Sequence, residues 1–336
     1  TSQVFTNVNG DWENALNKYR QTYGDLMLNF NKQFGDFSVS ASAGTSFTDT
    51  YAKQYTLNAG GDRYIPNYFA LENSTKNGSG QSITRKRLNA VFGTAQIGWR
   101  DMLFLDITGR NDWSSTLAFT NNVSYFYPSV SGSFLFSELL PKDSPVSYGK
   151  VRASWAKVGK DADPYATITY VTPPMIYGNF IGVGNQYTAG NAYLKPEIQT
   201  AWEIGLEMRF LNNRIGFDWT YYHSSTKNQI AQPRLSNANG YILSSINSGS
   251  VINKGMEISI TGKPVVKKDF RWDMALNFSY NRGTLGKFLD GVGMFYPTDA
   301  QFGSVKSASV PNGGNFMALV GTRYEYEHDA DGNEII

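Results

Sequence analysis

The chain has 336 residues with 28 acidic and 30 basic side chains, so its formal net charge is only +2. This balance, without a long run of Lys or Arg, does not indicate a nucleic-acid partner. Cysteine is absent, which excludes disulfides and thiolate metal sites, and no apolar run reaches the roughly 18 residues of a membrane-spanning helix. Aromatic residues make up 15% of the chain beside 33 Gly, a mixture that favours strands with polar turns.

Alternation of apolar and polar residues predicts ten long strands. The clearest window runs from Phe270 to Tyr280, where apolar residues alternate with Arg271, Asp273 and Asn277. Because residues i and i+2 share a strand face, each such strand has one apolar and one polar face. In chain order we expect strands near 24–34, 37–48, 86–99, 102–110, 125–136, 147–158, 197–211, 214–223, 251–262 and 269–281, with two further candidates near 12–22 and 315–327.

The connections between these strands alternate in length. Tight turns are expected at Gly35-Asp36, Arg100-Asp101 and Asn212-Asn213, and a short turn at 263–268. Every second connection is longer and polar; these longer connections cover 49–84, 111–124, 159–196 and 224–250. The stretch 137–146 is the exception, because its length is intermediate. Outer-membrane barrels have short periplasmic turns and long extracellular loops, whereas a β-sandwich has no reason to keep this parity.

The pattern therefore predicts an all-β fold, an antiparallel transmembrane β-barrel. A set of ten to twelve strands can close as a small barrel or form part of a larger one. No linker divides the chain, so residues 1–336 are expected to form a single barrel domain.

Six motifs follow one another at characteristic spacings. They are Arg110–Leu117, Tyr125–Ser131, Tyr148–Gly159, Leu194–Glu197 leading into Trp202–Glu207, the hairpin Phe210–Phe217, and Asn247–Glu257. In this order they resemble the barrel of SusC/RagA-type TonB-dependent transporters of the Bacteroidota, most closely over residues 85–285. Residue by residue, the motifs are expected to build the barrel rather than to contact ligand.

The resemblance implies a barrel of about 22 strands filled by an N-terminal plug. The chain would then be the middle portion of that barrel, with the plug and the closing strands outside it. The implied function is uptake of glycans or oligopeptides through the bacterial outer membrane. The implied partners are a SusD-like surface lipoprotein, outer-membrane lipid, and TonB–ExbB–ExbD acting through the plug. The alternatives are a passive porin or structural barrel without a plug, and a soluble adhesive β-sandwich.

The sequence predicts no enzymatic activity and no cofactor. HExxH, Gly-x-Ser-x-Gly and Walker motifs are absent, and His223 is expected at a membrane interface. The stretch Asp329–Glu334 places oxygens at alternate positions, as calcium loops do, but Gly332 stands at its fourth position instead of the sixth. A simple turn is therefore favoured there over a calcium site.

Aromatic side chains of the long loops are expected to contact the ligand or the SusD-like lipoprotein, which would cover the loops as a lid. The candidates are Tyr64, Tyr68, Trp113, Tyr177, Phe180 and Tyr187. Packing of these rings against other loop residues is the alternative. Carboxylates that alternate with apolar residues are expected to form the lumen wall or to contact the plug; they are Glu203, Glu207, Asp218 and Asp273.

Overall fold

The computed structural model describes residues 12–141, 143–172, 175–177, 180–296, 301–322, 327–328 and 334–335. Ten long strands form one antiparallel sheet in which each strand pairs with the next along the chain. They are β1 (Trp12–Phe34), β2 (Phe37–Arg63), β3 (Ser74–Trp99), β4 (Leu103–Ser114), β5 (Ser124–Phe134), β6 (Val146–Lys160), β7 (Glu197–Phe210), β8 (Ile215–Lys227), β9 (Ser250–Val266) and β10 (Arg271–Leu285).

The sheet is open, because β1 and β10 are its two edges and do not pair with each other in the described chain. The ten strands are those that the alternation predicted, and the open sheet agrees with the partial barrel that the family resemblance implied. The candidate strand near 12–22 is the first half of β1. The candidate near 315–327 contains the short strand Ala318–Val320 and the first residue of the short strand Glu327–His328 among its described residues.

Tight turns close the strands at one end of the sheet. Arg100, Asp101, Asn212 and Asn213 adopt positive φ angles of 52°, 54°, 54° and 64°, as short hairpin connections require. Gly35, at φ 57°, makes the same kind of turn between β1 and β2. The three tight turns are therefore confirmed, whereas the short turn expected at 263–268 begins later because β9 continues to Val266.

Longer connections gather at the other end, and they span 64–73, 115–123, 161–196 and 228–249. The prediction of a loop over 49–84 was wrong for most of that range, because β2 and β3 stay paired as far as Arg63 and Ser74. Polar and aromatic residues predominate in this hairpin extension, so its composition is close to that of a loop although its backbone is paired. Tyr51 and Tyr55, expected in the loop, lie in β2.

The connections contain only small elements in the described chain. The helices are the single 3-10 turns Leu71–Asn73, Ser115–Leu117, Phe136–Leu139 and Asn237–Asn239. The short strands are Met175–Tyr177, Phe180–Gly182, Thr188–Ala189, Ile230–Ala231, Leu243–Ser244, Ile246–Asn247, Gln301–Phe302, Val305–Ala308, Ala318–Val320, Glu327–His328 and Glu334–Ile335. None of the described helices is long and apolar enough to cross a membrane.

The register gives the sheet one apolar and one polar face, because residues directly opposite each other share a face. One row across β6–β10 is entirely apolar; it consists of Val151, Leu206, Trp219, Ile258 and Phe278. The adjacent row is polar on the opposite face; it consists of Arg152, Gly205, Thr220, Glu257 and Ser279. The sheet thus matches the outward-apolar, inward-polar alternation of a membrane barrel.

The buried clusters lie at the long-loop end, where strand ends meet loop residues. One cluster contains Leu117, Tyr125, Ala162 and Leu194, and the other contains Val251, Leu285 and Phe288. By contrast, Leu276 on the apolar face of the edge strand β10 is 65% exposed. No described element covers that face, as expected for a surface that contacts lipid.

Candidate functional site

The polar face of the sheet carries the predicted carboxylates. Glu203, Glu207, Asp218 and Asp273 all lie on the face that Arg152 shares. The structure therefore places these side chains where a lumen wall requires them.

Arg152 on β6 is the centre of an ion cluster on this face. Its Nη1 donates to Oδ2 of Asp218 at 3.1 Å and its Nη2 donates to Oδ1 at 3.0 Å. Nη2 also donates to the hydroxyl of Thr220 at 2.5 Å, and Nε lies 3.7 Å from a carboxylate oxygen of Glu203. A bidentate guanidinium–carboxylate pair fixes orientation as well as charge.

Gly205 explains how Arg152 reaches β8. In the register Gly205 stands between Arg152 and Thr220, and a Cβ at this position would lie 2.5 Å from Arg152 Nε. The missing side chain therefore lets the guanidinium cross over β7. The sequence interpretation missed this contact, although a glycine inside an alternating strand indicates close approach of another group.

A second polar network lies at the end of β4 nearest the long loops. The buried Asp112 accepts hydrogen bonds from Arg110 Nε at 2.7 Å and from the hydroxyl of Tyr127 at 2.6 Å. Ser114 donates to Asp161, which also pairs with Lys86 Nζ at 2.6 Å. The first motif, Arg110–Leu117, thus fastens the start of the 161–196 loop to the polar face.

An apolar cluster completes this junction. Pairing between β5 and β6 stops at Ser129, because the next residue, Pro128, has no N–H to donate. The cluster of Leu117, Tyr125, Ala162 and Leu194 lies at this end of the strands, with the rings of Tyr125 and Tyr127 6.1 Å apart. Three of the quoted motifs therefore meet in one buried contact.

The two longest loops are locked together by Asn247. Its side chain accepts from the main-chain N–H of Lys195 at 2.8 Å and donates to the carbonyls of Lys195 and Asn228, each at 2.8 Å. The short strands Thr188–Ala189 and Leu243–Ser244 pair in parallel and add backbone bonds. The loops 161–196 and 228–249 therefore form a joined layer over the end of the sheet.

The apolar face carries an aromatic stack near its long-loop end. Trp202 stacks on His223 with ring centroids 5.8 Å apart, and Tyr221 lies 5.4 Å from Trp202. Amphipathic rings of this kind mark the boundary between lipid and water in membrane barrels. The interfacial position expected for His223 agrees with this placement.

The six aromatic residues expected to contact a ligand or lid lie in three separate regions. Tyr64 and Tyr68 are exposed at the tip of the β2–β3 hairpin, and Phe180 and Tyr187 are exposed in the 161–196 loop. Trp113 is not a loop residue, because β4 continues through it and the register places it on the apolar face.

Tyr177 belongs to the short strand Met175–Tyr177, and its side chain lies outside the described part. Among the described side chains, no ring stacking joins any two of the six residues. Their role in ligand or lid contact stays a prediction.

No group of three or more His, Asp or Glu side chains in the described ranges is arranged to hold a metal ion. The candidate calcium stretch lies outside the described residues except for Glu334, which belongs to a short strand. The preference for a simple turn there also stays a prediction.

Comparison with known proteins gives one consistent result. The family model for the TonB dependent receptor-like β-barrel matches residues 2–334. TonB-dependent receptor P3 of Formosa agariphila is 26% identical over 303 residues, which are 85% of this chain and 29% of that protein. TonB-dependent receptor SusC of Bacteroides thetaiotaomicron is 30% identical over 228 residues, which are 65% of this chain and 22% of that protein.

Among solved structures, the RagAB peptide importer in its closed-closed state superposes with a TM-score of 0.77 at 19% identity. The match covers 96% of this chain and 37% of that one. The chain thus spans less than a third of the length of these curated relatives. The predicted resemblance to SusC/RagA-type barrels is confirmed.

Proposed function

Because the chain belongs to the TonB dependent receptor-like β-barrel family, we propose that it forms part of the wall of an outer-membrane nutrient importer. The observation that carries the proposal is the ten-stranded sheet with one uncovered apolar face and one charged face. The apolar face meets lipid, and the polar face lines the path of a hydrophilic solute.

The substrates that fit this wall are glycans or oligopeptides. Bidentate Arg–carboxylate pairs, hydroxyls and amides alternate on the polar face, and such groups bind polar solutes through hydrogen bonds. The solved RagAB relative is described as a peptide importer, which supports the peptide alternative. The wall alone favours neither class.

The transport cycle also needs parts beyond this chain. We propose a plug within the complete barrel, which TonB–ExbB–ExbD pulls on to open the path. A SusD-like lipoprotein would cover the joined layer of loops 161–196 and 228–249 together with the β2–β3 hairpin. The length of the relatives, more than three times that of the matched region, supports this arrangement.

The test uses the full-length protein that contains this chain, expressed in its own outer membrane. Uptake of labelled oligosaccharide and peptide pools is measured with TonB present, with TonB inactivated, and after the proton gradient is dissipated. We expect uptake of one pool, and we expect it to be lost in both treatments. Leakage of small solutes that is indifferent to TonB would instead establish a passive porin.

Docking of the lipoprotein is tested separately by shortening 64–73, 161–196 and 228–249 together. Co-purification of the SusD-like partner should then be lost while the barrel remains in the outer membrane. Undiminished co-purification would refute the assignment of the loops as the docking surface.

A further inference from the structure

Charged side chains are divided unequally between the two faces of the sheet. The polar face carries both signs, including the Arg152–Asp218 pair. Among charged residues the apolar face carries almost only cations, and apart from Lys32 near the end of β1 these gather at the long-loop end of the strands. In β1–β3 they are Lys18, Arg20, Lys53, Arg85 and Arg87, which the register places on the same face as Phe47.

The other half of the sheet repeats the arrangement. Lys254 on β9 lies opposite Arg282 on β10, one step beyond the apolar pair Met256 and Tyr280. Lys157 and Lys227 occupy the corresponding face of β6 and β8. We call these nine residues the cationic belt.

Asp49 is the one carboxylate that the regular register places on this face among the described wall strands. It pairs with Arg85 at 2.6 Å and with Arg87 at 2.9 Å. At the long-loop end of β1–β3, five cations minus one carboxylate leave an excess of four positive charges.

This excess is unfavourable without a partner. Lys18 and Lys53 lie directly opposite each other in the register, and like charges in that arrangement destabilise a sheet. Tyr55 lies 4.5 Å below Lys53 Nζ and Tyr51 lies 5.5 Å from the Arg20 guanidinium. Aromatic rings beside cations are typical of the headgroup region of a membrane.

The belt lies at a defined height. On β2 the apolar face runs from Phe37 to Phe47. Ten steps of about 3.3 Å, tilted by about 40°, rise about 25 Å, which is the height of the apolar band of a membrane barrel. The belt begins directly above it, at the headgroups of the leaflet on the long-loop side.

We propose that the cationic belt binds the phosphate groups of the phosphorylated glycolipid in the outer leaflet of the outer membrane. Phosphate supplies the missing negative charge, and the acyl chains of the same molecule cover the apolar residues below. The inference rests on the proposed placement in the outer membrane. The belt lies on the apolar face of the wall, whereas the proposed transport path runs along the polar face.

The experiment compares the full-length protein with a variant that carries Lys18→Gln, Arg20→Gln and Lys53→Gln. Each protein is titrated in detergent micelles with lipid A that carries both phosphates, and separately with dephosphorylated lipid A. We expect the variant to bind phosphorylated lipid A at least about tenfold more weakly, since each basic residue near an anionic surface contributes about fivefold. Binding of dephosphorylated lipid A should not change.

A matched control removes the same number of charges at the tight-turn end, through Lys32→Gln, Lys267→Gln and Lys268→Gln, and should bind as the wild type does. A second variant, Lys254→Gln with Arg282→Gln, tests the other half of the belt independently of how the first variant folds. Wild-type affinity in both belt variants, or an equal loss with dephosphorylated lipid A, would overturn the proposal. Absence of the wild-type protein from the outer membrane would instead overturn the proposed function.

Discussion

Arg152 and Asp218 are held together across an intervening strand. The guanidinium on β6 passes over Gly205 of β7 and donates to both carboxylate oxygens of Asp218 on β8, at 3.1 and 3.0 Å. Neighbouring strands are already joined by their backbone ladder, whereas this contact joins strands that are not neighbours. It therefore fixes a charged patch on the lumen wall in one arrangement.

Replacing Gly205 by valine should break this contact. The new Cβ would lie 2.5 Å from Arg152 Nε and 2.7 Å from Cζ, so the guanidinium must shift away from its place beside Asp218. Because both partners are partly exposed, we expect the free energy of unfolding to fall by less than about 1 kcal/mol. Gly205→Val and Asp218→Asn should be non-additive in a double-mutant cycle of unfolding midpoints, since they remove the same pair. Asp273→Asn is the control, because Asp273 pairs with Arg271 and not with Arg152. Its effect on the unfolding midpoint should add to that of Gly205→Val.

The Asp112 network should be far more sensitive. Asp112 accepts from both Arg110 and Tyr127 in a buried position, and an amide there has one acceptor oxygen in place of two. Asp112→Asn removes the buried charge that pairs with Arg110 and turns an NH2 group toward one of the two donors, so it should destabilise the protein by about 1–3 kcal/mol, measured as the urea midpoint in detergent. Asp106→Asn is the control, because Asp106 lies on the same face of β4 in an exposed contact with Gln96. An equal change in both variants would contradict the network's role.

The sequence predicted the sheet well, for a physical reason. A strand with lipid on one face and water on the other must alternate, so Phe270–Tyr280 could be read directly from its residues. The β2–β3 extension was misassigned, because Tyr51, Lys53 and Tyr55 put polar and aromatic residues together on one strand face and no regular apolar alternation results. Trp113 was assigned to a loop for a related reason, since polar neighbours hid its place in β4.

The contacts between distant residues were beyond sequence reasoning. Nothing local to Asn247 indicates that its amide bonds to Lys195, which is 52 residues away. The motifs that carry the family resemblance proved to contain these anchors, among them Asp112, Leu194 and Asn247. Their spacing along the chain could be recognised, whereas their meeting in space required the structure.

The lock between the two longest loops gives a third prediction. Asn247→Ala removes three hydrogen bonds, to Lys195 and Asn228. Because water can replace the partners at the exposed Lys195, the cost should be only about 1 kcal/mol. Amide hydrogen exchange should therefore rise about fivefold in 186–196 and 228–249 but not in β7 or β8. Gln229→Ala, in the same loop, removes a side chain without touching Lys195 and should leave exchange near its wild-type rate. If the wild type, Asn247→Ala and Gln229→Ala had the same exchange rates in both loops, Asn247 would not hold the loops together.

The orientation of the sheet gives the last prediction, which compares two adjacent residues of β10. Leu276 lies on the apolar face and is 65% exposed, whereas Asn277 lies opposite Ser259 on the polar face. Arginine on the lipid face near mid-membrane costs about 2–4 kcal/mol, while a lumen face tolerates charge. Leu276→Arg should therefore reduce the folded, heat-modifiable protein in the outer membrane severalfold, and Asn277→Arg should not. The measurement is electrophoretic mobility of outer-membrane fractions with and without boiling. If Asn277→Arg were the damaging change, the polar face would be the one in lipid. If neither change mattered, the apolar face would not contact lipid, since an exposed leucine in water can be replaced by arginine with little effect on stability.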